Sequence, residues 1–182
     1  MTGQKKKDRT AARILHEAKG LFESNGVENI SFDEIALQAG VSRSTVFNHF
    51  NNKGELLSTL ATVEVEEVLF FCAESGEEGL ALIETLLFKL IDDTVRYPWV
   101  MTRLANSLIL SPEAGSIAKI EALLREAVKK ALPDELDDVL MAKILMGLYY
   151  GLVNHYHIHK LDFDPEKMKR DMRLMIQRVM KH

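Results

Sequence analysis

Residues 31–50 read SFDEIALQAGVSRSTVFNHF, and the fold turns on this stretch. Ser31 is an N-cap residue, and Glu34 three positions on can reach back to complete a capping box. Ile30 and Ile35 stand where a hydrophobic staple belongs. Phe32, Ile35, Ala36 and Ala39 form one apolar stripe at helical spacing, and Gly40 can take the left-handed conformation that ends a helix. Val41 can plug a turn, and Ser42 opens a second helix in which Val46 and Phe50 point inward. Thr45, at the third helical position, is expected to stay free for an outside contact. Arg43, Ser44, Phe47 and Asn48 fall largely on the outer side. Two short helices joined by a tight turn, the second with a small, polar, cationic face, have the form of a major-groove reader.

The flanking residues extend the pattern: Arg13-Ile14-Leu15, Ala18, Leu21-Phe22, Gly26, Ile35-Ala36, Ala39-Gly40-Val41-Ser42, Thr45-Val46-Phe47, His49-Phe50, Lys53 and Leu56-Leu57. In order and spacing these make Thr10 to Leu57 resemble the DNA-binding domain of the TetR family of bacterial transcriptional regulators. The sequence departs from that pattern twice. Phe47 stands where the family usually has Tyr, which removes a phenol-to-phosphate hydrogen bond. Gly54 replaces a usual helix former in the first turn of the following helix and should soften it.

Each candidate DNA-binding residue has its own chemistry. Arg43 carries donors for a guanine edge or a phosphate. Ser44 is small and polar, and Thr45 offers a methyl to thymine or a hydroxyl to phosphate. Phe47 can make only apolar contact, and Asn48 can pair with adenine. Lys53 stands at the positive end of a helix capped by Asn52, where a phosphate is the natural guest. The resemblance adds His49 as a phosphate contact, and a near-palindromic double-stranded DNA as the partner.

The formal charge of −4 conflicts with DNA binding until it is divided. Residues 1–60 hold eight Lys/Arg against seven Asp/Glu, while the remainder holds 15 against 20, so the cations gather at the N-terminal arm and the reading helix. No twenty-residue apolar run and no signal-peptide pattern occurs, and the single cysteine, Cys72, excludes an internal disulfide framework. A cytoplasmic, all-α protein is expected. It divides into an arm and helix-turn-helix head (residues 1–52) and a helical effector-binding and dimerisation body (residues 53–182).

Met1 to Arg9 reads as a flexible basic arm, followed by a helix from Thr10 to Asn25 in which nothing explains Gly20. A helix capped by Asn52 runs to Ser75, with Leu56, Leu60, Val63, Leu69 and Phe70 apolar and with Glu64, Glu66 and Glu67 as a solvated acidic face. Further helices are expected over Glu77 to Arg96, Pro98 to Leu110, Ser116 to Leu132 and Asp134 to His157. Ser111-Pro112-Glu113 opens a turn between them and Pro133 supplies a break. Asp164 and Pro165 start the last helix. Cys72, among Leu69, Phe70 and Phe71, reads as an inert buried thiol.

The helix after Pro133 is apolar nearly all round from Ile144 to Val153, and Gly147 and Gly151 admit a close backbone. The last helix carries Met168, Met172, Met175, Ile176 and Val179 on one stripe. In the resembled family the last two helices pair with those of a second subunit, which implies a homodimer through these residues. The family also implies a small-molecule effector within the body. Aromatic and polar residues in apolar helices supply candidates for it: Phe71, Phe88, Trp99, Arg103, Asn106, Met146, Tyr149 and Tyr150. They suit an apolar ligand with one polar handle at Arg103 or Asn106. The alternatives are a regulator governed by a partner protein or by its own abundance, and a metal enzyme built on His155 and His159. Neither a cofactor nor a resident metal is expected, because no catalytic or metal motif with full ligand spacing follows Gly76.

Overall fold

A computed structural model of the chain describes residues 2–110, 115–132 and 137–180, and side chains within 5–104, 117–132 and 137–180. The described elements are all helical: α1 (Thr2–Asn25), a 3-10 turn (Val27–Asn29), α2 (Phe32–Gln38), α3 (Arg43–Phe47), α4 (Lys53–Ser75), α5 (Gly79–Arg96), α6 (Pro98–Leu110), α7 (Gly115–Ala131), α8 (Asp138–Ile158) and α9 (Pro165–Met180). They make an N-terminal helix-turn-helix head on a larger helical body.

The local signals largely set the boundaries. Ser31 and Glu34 form the capping box, with the Ser31 hydroxyl accepting from the Glu34 N–H and the Glu34 carboxylate accepting from the Ser31 N–H. Asn52 caps α4 by accepting from the Glu55 N–H at 2.9 Å, and Asp164 caps α9 by accepting from the N–H groups of Glu166 and Lys167. Several boundaries differ from expectation. The basic arm is helical from Thr2, because Gln4 to Arg9 contains good helix formers and no breaker, and the Thr10 hydroxyl donates to the Lys6 carbonyl. The fifth helix begins at Gly79 after Glu78 rather than at Glu77, whose N–H bonds instead to the Ser75 hydroxyl. The eighth is described from Asp138, where Asp137 caps it by accepting from the N–H groups of Val139 and Leu140, and the expected start at Asp134 lies outside the described residues. The expected break at Pro133 and the turn at Ser111-Pro112-Glu113 lie outside the described residues.

Two apolar clusters organise the packing. The head cluster joins Ile14, Ala18 and Phe22 of α1 to Ile35 and Val46, and it is closed from below by Leu56, Leu60 and Ala61 of α4 and Val100, Met101 and Leu104 of α6. The body cluster surrounds α5, which touches α4, α6, α7, α8 and α9. Met168, Met172 and Ile176 of α9 are completely buried within this single chain. The methionine stripe therefore packs on its own subunit, and only its flanks, Met175 and Val179, remain part-exposed.

Helix α4 corrects the sequence reading at Phe70 and Glu64. Phe70 is 67% exposed and Leu69 half-buried, whereas Glu64, expected on a solvated face, is buried with 6% of its surface exposed. Its carboxylate accepts a hydrogen bond from the Lys19 ammonium at 2.6 Å, so the burial of one charge is answered by another. Leu56, Leu60, Val68 and Cys72 lie at four-residue steps from Glu64, and helical geometry carries it into the core with them.

Glycine 20 lies on an exposed turn of α1 where an added Cβ would meet nothing within 4 Å, whereas at Gly54 a Cβ would stand 3.1 Å from the capping Oδ1 of Asn52. Gly54 thus leaves room for the cap. Gly20→Ala is expected to stabilise the fold by about 1 kcal/mol, read as a higher denaturant midpoint at unchanged slope; Gly54→Ala should give no such gain.

Candidate nucleic-acid interface and internal pocket

The turn between α2 and α3 is fixed by two backbone bonds. Gly40 takes φ 60°, its N–H reaches the Leu37 carbonyl at 3.1 Å, and the Val41 N–H reaches the Ala36 carbonyl at 2.9 Å. A side chain at position 40 would strain this left-handed link. Ser42 then starts α3, accepting from the Thr45 N–H at 3.1 Å. Val46 and Phe50 are buried beneath, so the orientation of α3 is set by the head core.

Arg43, Ser44, Phe47 and Asn48 are exposed together on the outer face. The Phe47 ring meets Phe32 edge-on with centroids 4.9 Å apart, and the Arg43 guanidinium lies 5.4 Å from the Phe47 centroid. Arg43 also pairs with Asp33 at 3.0 Å, both side chains more than half exposed. An exposed pair of this kind is weak, so Arg43 can exchange Asp33 for a phosphate or base at little expense. Two expected contacts are placed otherwise. Thr45 is half-buried, with its hydroxyl 2.8 Å from the Ser42 hydroxyl. Lys53 folds back, donating to the carbonyls of Val27 and Glu28 at 3.0 and 3.1 Å. An ammonium has three donors, so at most one remains for DNA. His49 is half-buried beside Phe50.

A profile of the family described as "Bacterial regulatory proteins, tetR family" matches residues 14–60, the span that builds this head. The chain belongs to the TetR family. It is 26% identical to the HTH-type transcriptional regulator AcrR of Shigella flexneri, covering 89% of this chain and 85% of that one. It is 33% identical to the regulator TtgR of Pseudomonas putida, but over only 47% of this chain and 43% of that one. A transcriptional regulator (TerR/AcrR family) from Aquifex aeolicus VF5 shares the fold with a TM-score of 0.73 at 22% identity, across 93% of this chain and 99% of that one. As a TetR-family member, the protein is a DNA-binding transcriptional regulator.

Within the body, a cavity of about 50 Å³ lies between α4, α5, α6, α7 and α8, lined by Val65, Val68, Leu90, Ile120, Met146 and Tyr149 among others. Of the effector candidates, Met146, Tyr149 and Tyr150 meet there. Trp99 is 62% exposed and packs edge-on against His157, and Arg103 pairs with Glu28 on the surface at 3.0 Å. Phe71 is 47% exposed, and Phe88 lies under the Arg173 guanidinium of α9. The side chain of Asn106 lies outside the described residues. Among the described residues Glu64, which the sequence reading assigned to solvent, also lies in the cavity wall. Its spacing from Leu60 and Val68 was the signal that could have found it.

Tyr149 and Thr94 share a buried hydrogen bond at 2.7 Å, and burial pushes the Tyr149 hydroxyl well above its ordinary range. Burial likewise raises the Cys72 thiol to about 11, which leaves it protonated and unreactive. The rings of His155 and His159 stand 4.6 Å apart, and no third His, Cys, Asp or Glu joins them among the described residues.

Because Lys53 ties α4 to the turn after α1, Lys53→Met should cost roughly 1–2 kcal/mol of unfolding free energy without any DNA present. Chemical denaturation checks this; an unchanged midpoint would return Lys53 to a purely phosphate-binding role.

Proposed function

We propose that the protein is a homodimeric repressor whose hold on a near-palindromic operator is released by a small, largely apolar effector bound between α4 and α8. The observation that carries the reading is a sharing of residues. Ala61, Met101 and Leu104 belong to the head's apolar cluster and also line the internal cavity. A ligand that parts α4 from α6 displaces atoms on which the recognition helix rests. Linkage then requires that the ligand bind the DNA-free arrangement more tightly, by about 1–3 kcal/mol for ordinary coupling.

Each half-site receives one copy of α3. Arg43, Ser44, Phe47 and Asn48 face the groove, with Thr45, His49 and the remaining Lys53 donor toward the backbone. Arg43→Ala is expected to cost about 1–3 kcal/mol and to relax preference at one position per half-site. Fluorescence anisotropy against a site selected from random DNA, and against its scrambled version, checks this. Loss of equal size on both sequences would make Arg43 a phosphate clamp instead.

The second copy docks through the outer sides of α8 and α9. There Gly147 and Gly151 are exposed with open space above them, flanked by Leu148, Leu161 and Met175. Gly151→Arg is expected to leave the single chain folded and to turn a dimer into a monomer in sedimentation velocity. A wild-type monomer at micromolar concentration would refute the dimer. The protein acts where its DNA lies, in the cytoplasm; no described helix is long and apolar enough to cross a membrane. The alternative, control by a partner protein or by abundance, draws on the small size of the cavity, about 50 Å³. It predicts that no small molecule shifts DNA affinity.

A further inference from the structure

Helix α8 closes on a well-defined end. Lys160 takes φ 51°, its N–H donates to the His157 carbonyl at 3.2 Å, and the Leu161 N–H donates to the Tyr156 carbonyl at 2.9 Å. This paired arrangement satisfies carbonyls of the last turn and holds it in helical form. His155 and His159 stand at that end one helical step apart, with the His159 N–H donating to the His155 carbonyl at 3.1 Å. Both side chains are exposed, and their ring centres lie 4.6 Å apart. Two imidazoles on one tetrahedral ion, each nitrogen about 2.0–2.1 Å from it, hold their ring centres roughly 5 Å apart. The pair therefore stands at chelating separation, and the broad terminal torsion of histidine lets each ring turn a nitrogen toward a shared ion at little cost. His157, between them in sequence, is engaged elsewhere, its ring edge-on to Trp99 with centres 4.7 Å apart.

Two ligands leave a metal half-bound, and no third His, Cys, Asp or Glu joins them among the described residues. The missing pair has a source on the same face. Gly147, Gly151, His155 and His159 follow at four-residue steps along one exposed ridge of α8, and His155 lines the groove that Gly147, Gly151 and Met175 also line. A twofold contact uses the same patch of both chains. A copy seated on the glycines thus brings a second histidine pair to the first. We propose that His155 and His159 of two chains together bind one divalent transition-metal ion of the zinc, nickel or copper class across the dimer. The proposal rests on the dimer reading above and adds to it a ligand set shared between the chains. Neutral imidazole suits these ions, whereas magnesium and calcium take oxygen ligands and find none in the pair. The ion fastens the two chains at the end of α8 that touches α6 through His157 and Trp99. There the Trp99 N–H donates to Glu23 of α1, so the fastening lies beside the joint of head and body.

The test uses the full chain without a histidine tag. Equilibrium dialysis against zinc chloride, with magnesium chloride as the control, gives the stoichiometry, and sedimentation velocity with and without zinc gives the assembly state. One zinc per two chains is expected, with no magnesium retained. The dimer should also persist to lower protein concentration in zinc, because a ligand held only by the dimer stabilises it. His155→Ala and His159→Ala should each weaken zinc by at least the roughly 10–100-fold that loss of an outer-shell partner costs, while His157→Ala leaves zinc affinity unchanged. His155 and His159 are exposed, so neither of their substitutions disturbs the core. One zinc per chain, or zinc affinity unmoved by His155→Ala, overturns the proposal. A dimer that binds no zinc overturns it while the dimer reading stands. A chain that stays monomeric with and without zinc removes both.

Discussion

The head of this protein does not close its own core. Its helices α1, α2 and α3 leave an open underside, and that side is sealed by Leu56, Leu60 and Ala61 of α4 and by Val100, Met101 and Leu104 of α6. Every other feature depends on this seam, because the same two helices form walls of the body cavity. Apolar packing is dense and tolerates few voids, so a displacement on one side of α4 or α6 is felt on the other. Charges bind the seam at its edges. Glu23 of α1 accepts the first N–H groups of α6, from Trp99 at 3.3 Å and Val100 at 3.0 Å. That carboxylate satisfies orphan donors at the positive end of α6 and ties its start to the head.

The recognition face is built by the same logic on a smaller scale. A helix of only five residues cannot hold itself in water, so α3 takes its position from Val46 and Phe50 below and from the Gly40 turn before it. Phe47, without the phenolic hydroxyl usual at this place in the resembled family, is instead steadied edge-on by Phe32 and covered by Arg43. The outer face thus presents an aromatic body with a guanidinium upon it, a surface that packs against sugar or thymine methyl while keeping donors available.

Helix α9 shows how one amphipathic stripe can serve only one partner. Met168, Met172 and Ile176 fill space beside α5 and α8 of the same chain, where flexible thioethers suit irregular gaps. The surface left over is glycine-rich on α8 and aliphatic at Leu174 and Met175 on α9. Close approach of a second backbone is possible at the glycines, where a larger side chain would hold it away.

The sequence by itself determined what depends on neighbours within a turn or two. The capping box at Ser31 and Glu34, the left-handed Gly40 and the caps at Asn52 and Asp164 all follow from interactions at separations of five residues or fewer, and all are present. Tertiary structure decided which face of each helix meets which partner. Glu64 is buried because Lys19, 45 residues earlier, stands opposite it. Lys53 is drawn back by carbonyls 25 and 26 residues before it, and Trp99 and Arg103 point outward although their helix is apolar enough to suggest otherwise. Periodicity gives the phase of a helix but not the depth of its burial, which is set by helices distant in the chain. That Arg103 pairs with Glu28 at the surface instead of entering the body was therefore decided only when the head and α6 came together.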